Sequence, residues 1–401
     1  MLSRRDLLLA TASACTAGQV WALQGDSGAS DPSVPPSPDV LGRLAGKRPL
    51  IQRAFRPPNF ETPLAQLLPD YTPNDAFFVR YHLAVIPHVD AASWRLRVGG
   101  ASAQRPFNVS LSQLRSSFPH ASLAAVNQCS GNRRGLFSPR VPGVQWGNGA
   151  MGNALWTGVR LRDVLQRAGV ASDALEVVYR GADSAVLPAT PDFVKSIPID
   201  RALDDSTLIA FEMNGRPLPH WNGAPARLIV PGWTGTYWMK HLTELRIEPQ
   251  AFDGFWMKGA YRVPTGAFPG SQFASQANPE TTPITDILVN SLITAPLAGT
   301  RIRQCARFEL TGKAWDNGAG IVGVEASIDG RGSWRDASLG KDLGRFAWRE
   351  FRLPLEAATA GPMQIAVRAH SRNGMRQPDI LTFNPAGYHD NIVQTVTIEV
   401  A

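Results

Sequence analysis

Cysteine is scarce in this chain of 401 residues, occurring only as Cys15, Cys129 and Cys305. Three cysteines so far apart build no disulfide framework. They form no Cys-x-x-Cys pair for zinc or an iron–sulfur cluster. No Cys-x-x-Cys-His occurs for covalent attachment of a c-type haem, so no haem is expected in this chain. There is no Lys-rich run either. The net charge of +7 comes from arginines scattered beside Gly and Pro. Nucleic-acid readers concentrate charge on a recognisable module, so no nucleic-acid partner is expected. Arginine's planar fork suits oxyanions, and the bias points to an anionic substrate or cofactor. No internal repeat is found.

The N-terminus reads Met-Leu-Ser-Arg4-Arg5-Asp-Leu7-Leu8-Leu9, then a short apolar run ending at Val20-Trp21-Ala22. A charged head, an apolar stretch too short to cross a bilayer and a small residue at its end make a cleavable signal rather than a membrane anchor. The paired arginines match the twin-arginine type, which exports folded proteins. Residues 1–22 are therefore expected to be a signal directing the protein to the periplasm. Residues 23–48, rich in Pro, Ser, Asp and Gly, read as a linker or disordered arm.

With 36 Gly and 32 Pro, the remaining sequence favours short elements and many loops. Residues 49–280 mix patterns. Phe77–Leu83, Trp94–Gly100, Leu175–Tyr179, Ser206–Glu212 and Ala226–Val230 read as strands. Leu111–Phe118 and Leu161–Ala168 have helical spacing, with Ser110 and Thr157 as candidate caps. Elements that do not alternate regularly suggest an α+β domain. From residue 281 to 401 the runs alternate: Ile302–Leu310, Gly320–Ile328, Phe346–Leu353, Met363–Ala369 and Ile392–Val400, separated by turns such as Asn317-Gly and Asp329-Gly. Such spacing predicts an all-β sandwich of immunoglobulin type. Cys305 falls inside one of these runs and reads as a buried strand residue.

Cys129 is different. It follows the apolar Leu123-Ala-Ala-Val and precedes Ser130-Gly-Asn-Arg-Arg-Gly, a polar loop unlike core packing. The thiolate is the form that attacks carbon or binds metal. The histidines His82, His120, His220 and His241 sit in no recognised cysteine-hydrolase signature, which leaves a soft ligand to a redox metal.

Around this cysteine, several blocks occur in order: Phe78-Val-Arg80-Tyr-His82-Leu, Asn127-Gln-Cys129-Ser-Gly-Asn132-Arg-Arg134, Trp146 followed by Ala154-x-Trp156, Met213-Asn-Gly-x-Pro-Leu-Pro, Arg227-Leu-Ile-Val-Pro-Gly and Lys240-His241. Together they resemble the sulfite oxidase family, most closely its bacterial haem-free periplasmic members. The resemblance implies molybdenum held by a pterin dithiolene, with Cys129 as the protein ligand to the metal. It implies Arg80, Arg134 and Tyr261 around a substrate oxyanion, with Trp146 as the aromatic wall. It places His82, Asp183, Arg227 and Lys240 on the pterin and its phosphate. It implies oxidation of sulfite to sulfate, a separate c-type cytochrome as electron acceptor, and a homodimer or a heterodimer with a cytochrome subunit. The sequence departs from animal and plant relatives at Asn222, where they have His, and at Ala386, where they have a substrate-binding Arg. Those departures keep open another sulfur reaction on the same scaffold, sulfane oxidation or sulfoxide reduction. A cofactor-free binding protein using the sandwich for adhesion is the third reading, and it gives Cys129 no role.

Overall fold

The computed structural model describes residues 40–401 apart from Pro188 and Ser271. The expected signal, 1–22, lies outside the described residues. Part of the expected linker is folded: Leu41–Gly42 pairs with Leu50–Ile51. Beside it, the Lys47 ammonium donates to Asn74 O, Phe77 O and Asn222 Oδ1. Polar composition hid this because the segment is anchored by one half-buried cation, an edge pairing and a single apolar contact, Leu44 against the cluster of Leu50, Phe60, Val79 and Tyr81.

The fold is largely β with a few short helices. Towards the N-terminus one sheet runs Val194–Pro198, Glu176–Gly181, Leu242–Glu248, Arg95–Gly99, Phe107–Ser110. A second contains Arg216–Pro217, Leu208–Met213, Met151–Arg160 and His120–Gln128, with Arg227–Ile229 paired to Leu208–Ala210. Their apolar faces share one core with the helices Leu111–Ser117 and Leu161–Ala168, in which Trp156, Leu165, Phe211 and Leu245 are buried. Ser110 caps the first helix: its hydroxyl accepts from Gln113 N while Gln113 Oε1 accepts from Ser110 N. Thr157 caps nothing. It lies in the strand Met151–Arg160, its hydroxyl 2.8 Å from that of Ser122, and Arg160 is the uncapped start of the second helix.

Towards the C-terminus, the sheet Asn290–Ala295, Arg307–Trp315, Arg349–Glu356, Ser338–Leu339 and the sheet Arg301–Ile302, Gln394–Val400, Gly361–Ser371, Ile321–Ser327, Arg335–Asp336 share a second core. Leu310, Phe351, Ile365 and Ile398 fill it, as the alternating runs require. The run Ile302–Leu310 is not one strand. It breaks at Cys305, which has φ 63 and is exposed, contrary to the buried position expected. Among the described residues no helix is long and apolar enough to cross a membrane.

Candidate active site

The segment Phe77–Leu83 is less regular than its alternation suggested, since only Val79–Arg80 pairs, with Asn59–Phe60. The reason is local. The carbonyl of Arg80 accepts from Lys240 Nζ and that of Tyr81 from the Arg80 guanidinium, so side chains replace the ladder. The segment thereby enters a cavity lined on its other sides by Cys129, Asp183, Arg227, Lys240 and Tyr261. Strand ends deliver the rest of the lining. Cys129 follows His120–Gln128, Asp183 follows Glu176–Gly181, Arg227 opens Arg227–Ile229, and Tyr261 precedes Arg262–Pro264. Arg80, His82, Cys129, Asp183, Arg227, Lys240 and Tyr261, spread over some 180 positions, all line this one space.

Cys129 is buried at its floor, with its N–H on Ala150 O and its carbonyl accepting from Asn132 N, both at 2.9 Å. Across from it, the Tyr261 hydroxyl is held by His82 Nε2 and by Arg80 Nη2, the latter at 3.4 Å. Burial, then the charges of Arg80, Lys240 and Lys195, hold the His82 pKa well below 6.5, so its ring is neutral near pH 7. Burial raises the Tyr261 pKa, opposed first by Arg80. His82 also lies flat on Phe193, centroids 3.6 Å apart.

Arg227 donates to Asn222 O at 2.9 Å and Trp238 O at 3.1 Å, and its Nε has no protein partner. Burial lowers its pKa to about 9. Lys240 sits 3.9 Å over the Tyr81 ring. Tyr81 OH meets His241 Nε2 at 2.8 Å, while His241 Nδ1 is 2.6 Å from Ala224 O. A carbonyl only accepts, so Nδ1 carries the proton and Tyr81 donates to Nε2. Burial lowers the His241 pKa to about 3, consistent with that neutral ring.

Arg134 and Trp146 are not brought into the lining. Trp146 is fully buried in the core behind the Cys129 loop. Arg134 lies one layer away, its guanidinium carbon 5.2 Å from the Tyr388 ring centroid. Neither position was readable, because the motif fixes chain order and not which side chain the loop turns inward. Sequence reasoning also missed Asn127, Ser130 and Thr236, which line the cavity, and Lys195, buried 5.2 Å from the Tyr261 ring centroid. Tyr388 was missed as well. Nothing in Phe193-Val-Lys-Ser-Ile marks its lysine, but the block containing Ser130 was in view.

The cavity suits a large anionic group. Arg80, Arg227 and Lys240 face the single carboxylate Asp183. Arg227 Nε, Asn127 Oδ1, Ser130 Oγ and Thr236 Oγ1 are buried there with no protein partner, and such groups imply a ligand. A thiol, two guanidiniums and an ammonium share the lining. A pterin-phosphate carrying a thiolate-bound metal matches this set of donors; Cys129 would ligate the metal, with Arg227, Lys240 and Asp183 on the pterin and phosphate. Among the described residues no cluster of three His, Cys, Asp or Glu competes as a metal site.

Residues 82–256 match the oxidoreductase molybdopterin binding domain, and residues 281–401 the Mo-co oxidoreductase dimerisation domain. The sulfite oxidase of Gallus gallus is 34% identical over 370 residues, covering 87% of this chain and 78% of that protein. The mitochondrial sulfite oxidase of Homo sapiens is 34% identical over 310 residues; the match covers 74% of this chain but only 55% of the human protein. Among solved structures, the sulfane dehydrogenase SoxCD of Paracoccus pantotrophus superposes with a TM-score of 0.73 at 26% identity, over 85% of this chain and 84% of that one.

Proposed function

This chain belongs to the sulfite oxidase family of molybdopterin oxidoreductases, and from that premise we propose that it oxidises sulfite to sulfate at the Cys129 cavity. The observation that carries the reading is the cluster of Arg80, His82 and Tyr261 beside Cys129. A guanidinium, a phenol and a neutral imidazole converge on one point, which is what binding and orienting a small oxyanion require. When bound, the molybdenum group supplies the two-electron oxidant and the oxygen that sulfur receives. The balance is sulfite plus water to sulfate, two protons and two electrons.

The chain's own residues do the rest. Arg80 places charge against the oxyanion and orients it. Tyr261 donates its hydroxyl proton to a substrate oxygen when that oxygen displaces it from His82. Neutral His82 accepts from the Tyr261 hydroxyl and fixes its orientation until substrate arrives; with its pKa held well below the ordinary value it takes up no proton near pH 7. Arg227 and Lys240 hold the phosphate end, and the buried walls Phe77, Phe193 and Trp238 exclude water. The electrons leave to a separate c-type cytochrome. The twin-arginine pattern supports a periplasmic location. We read the C-terminal unit as an immunoglobulin-like sandwich that mediates pairing with a second copy or a cytochrome subunit.

The likeness to the sulfane dehydrogenase favours one alternative, oxidation of sulfane sulfur by the same residues. The test is steady-state ferricyanide reduction by molybdenum-loaded protein offered sulfite or a protein-bound persulfide. Faster turnover of sulfite, with KM raised in Arg80→Gln, supports the proposal. Turnover of the persulfide alone moves the assignment to the alternative.

A further inference from the structure

Three segments meeting beside the Cys129 loop each carry a non-glycine residue in the left-handed backbone region: Arg133 at φ 69, Tyr261 at φ 59 and His389 at φ 59. Bulky residues stay in that region only where the surroundings over-determine them. For Tyr261 the restraints are visible. Its carbonyl accepts from Ile284 N at 2.9 Å, and its hydroxyl is shared by Arg80 and His82. Its ring stacks on Tyr388, with centroids 5.7 Å apart and planes 13° from parallel.

Tyr388 comes from the C-terminal unit. Asn384 clamps its backbone, donating to Tyr388 O at 2.8 Å and accepting from Tyr388 N at 3.0 Å. Arg134 covers its ring, and Arg134 is itself caged. Its Nε donates to Ala386 O at 2.9 Å. Three glycines leave space for it. A Cβ would lie 2.6 Å from its guanidinium carbon at Gly131, 3.0 Å from Nη1 at Gly143 and 2.7 Å from Cγ at Gly387. The neighbouring Arg133 ties the same two segments together, donating to Ile392 O at 3.0 Å, with its Nε 3.6 Å from Asp390 Oδ1.

We propose that Tyr388 is a positioning residue: the series Arg134, Tyr388, Tyr261 holds the Tyr261 hydroxyl against Arg80 and His82, so that the C-terminal unit sets the affinity of the oxyanion site. Arg134 stands outside the cavity lining and bears on it through the Tyr388 ring. The inference rests on the reading that an oxyanion binds at Arg80 and Tyr261.

The experiment uses the molybdenum-loaded full chain, with sulfite kinetics and calorimetric binding of sulfate as the product probe. Tyr388→Leu raises both the sulfite KM and the sulfate Kd about tenfold and leaves kcat within about twofold, near the upper end for one aromatic contact. Tyr388→Phe, which keeps the ring, recovers most of that loss. Arg134→Met shifts the same constants, and the double variant Arg134→Met/Tyr388→Leu is no worse than Tyr388→Leu alone, because one stack is lost once. Unchanged constants in Tyr388→Leu, multiplied losses in the double variant, or Tyr388→Phe as weak as Tyr388→Leu each overturn the proposal. Should the wild type neither bind sulfate nor oxidise sulfite, the functional reading falls by itself. The stack is then judged from urea unfolding: Tyr388→Leu and Tyr261→Leu cost less together than their sum if it exists, and simple additivity overturns it.

Discussion

Replacing Arg227 by Gln is expected to move two properties in opposite directions. In the cofactor-free chain, Arg227 is a buried guanidinium with two carbonyl acceptors, an unpartnered Nε and the rings of Trp156 and Trp238 at 5.2 and 5.7 Å. Burial holds its pKa near 9 instead of 12.5. At about 1.4 kcal/mol per pH unit, the charged form is disfavoured by roughly 5 kcal/mol at every pH below that value. Removing the charge relieves this. Losing the two hydrogen bonds of a charged donor costs about 1.5 kcal/mol each. The net is a cofactor-free variant roughly 2 kcal/mol more stable than wild type, a rise in Tm of about 2 °C for a chain of this length. With cofactor, the sign reverses: the anion that offset the guanidinium loses its partner, and molybdenum retained through gel filtration falls. The assay is differential scanning fluorimetry on protein from cells unable to make the pterin cofactor, beside metal analysis of protein from cells that make it. A lower Tm in the cofactor-free variant together with wild-type molybdenum content would refute the reasoning and make Arg227 a structural residue.

Cys129→Ser should abolish sulfite turnover while the Tm of the cofactor-free protein stays at the wild-type value; retained turnover removes Cys129 from the metal. Gly131→Ala drives a Cβ to 2.6 Å from a guanidinium that Gly143 and Gly387 keep from moving, so urea unfolding should show a loss of about 1–3 kcal/mol, and no loss would mean that the cage yields. Stability should also fall in acid. Burial holds His241 and His389 near pKa 3, so below pH 6.5 the unfolded chain takes up protons that the folded chain excludes. Their contribution is complete above pH 6.5 and is lost at up to ~3 kcal/mol per pH unit as pH falls towards 3. Burial and cationic neighbours hold His82 low as well, which adds to the slope with the same sign, so His389→Gln should remove about a third of it in urea titrations; a flat profile from pH 6.5 to 5 contradicts the account.

Much of the site was legible because chemistry-bearing residues stand at strand ends within ordered motif blocks. Arg80, His82, Cys129, Asp183, Arg227, Lys240 and Tyr261 converge although the chain separates them widely. What stayed hidden depends on which loops meet in space. Arg134 was placed around the substrate oxyanion by the family resemblance; in the fold its guanidinium meets Ala386 O and the Tyr388 ring of the other unit. Lys195 lies on a strand whose pattern is ordinary, and only packing reveals a buried ammonium with Trp256 O at 2.8 Å as its acceptor. The strands of both units were readable from alternation. The break at Cys305 was not, since Arg-Gln-Cys-Ala holds no Gly, Asn or Pro to announce a turn.

The central claim is tested most directly by mixing molybdenum-loaded protein anaerobically with sulfite, without an electron acceptor, and measuring sulfate. The account predicts one sulfate formed per molybdenum, with the metal reduced. Reduction or sulfate formation absent in protein that carries its full complement of molybdenum would contradict it.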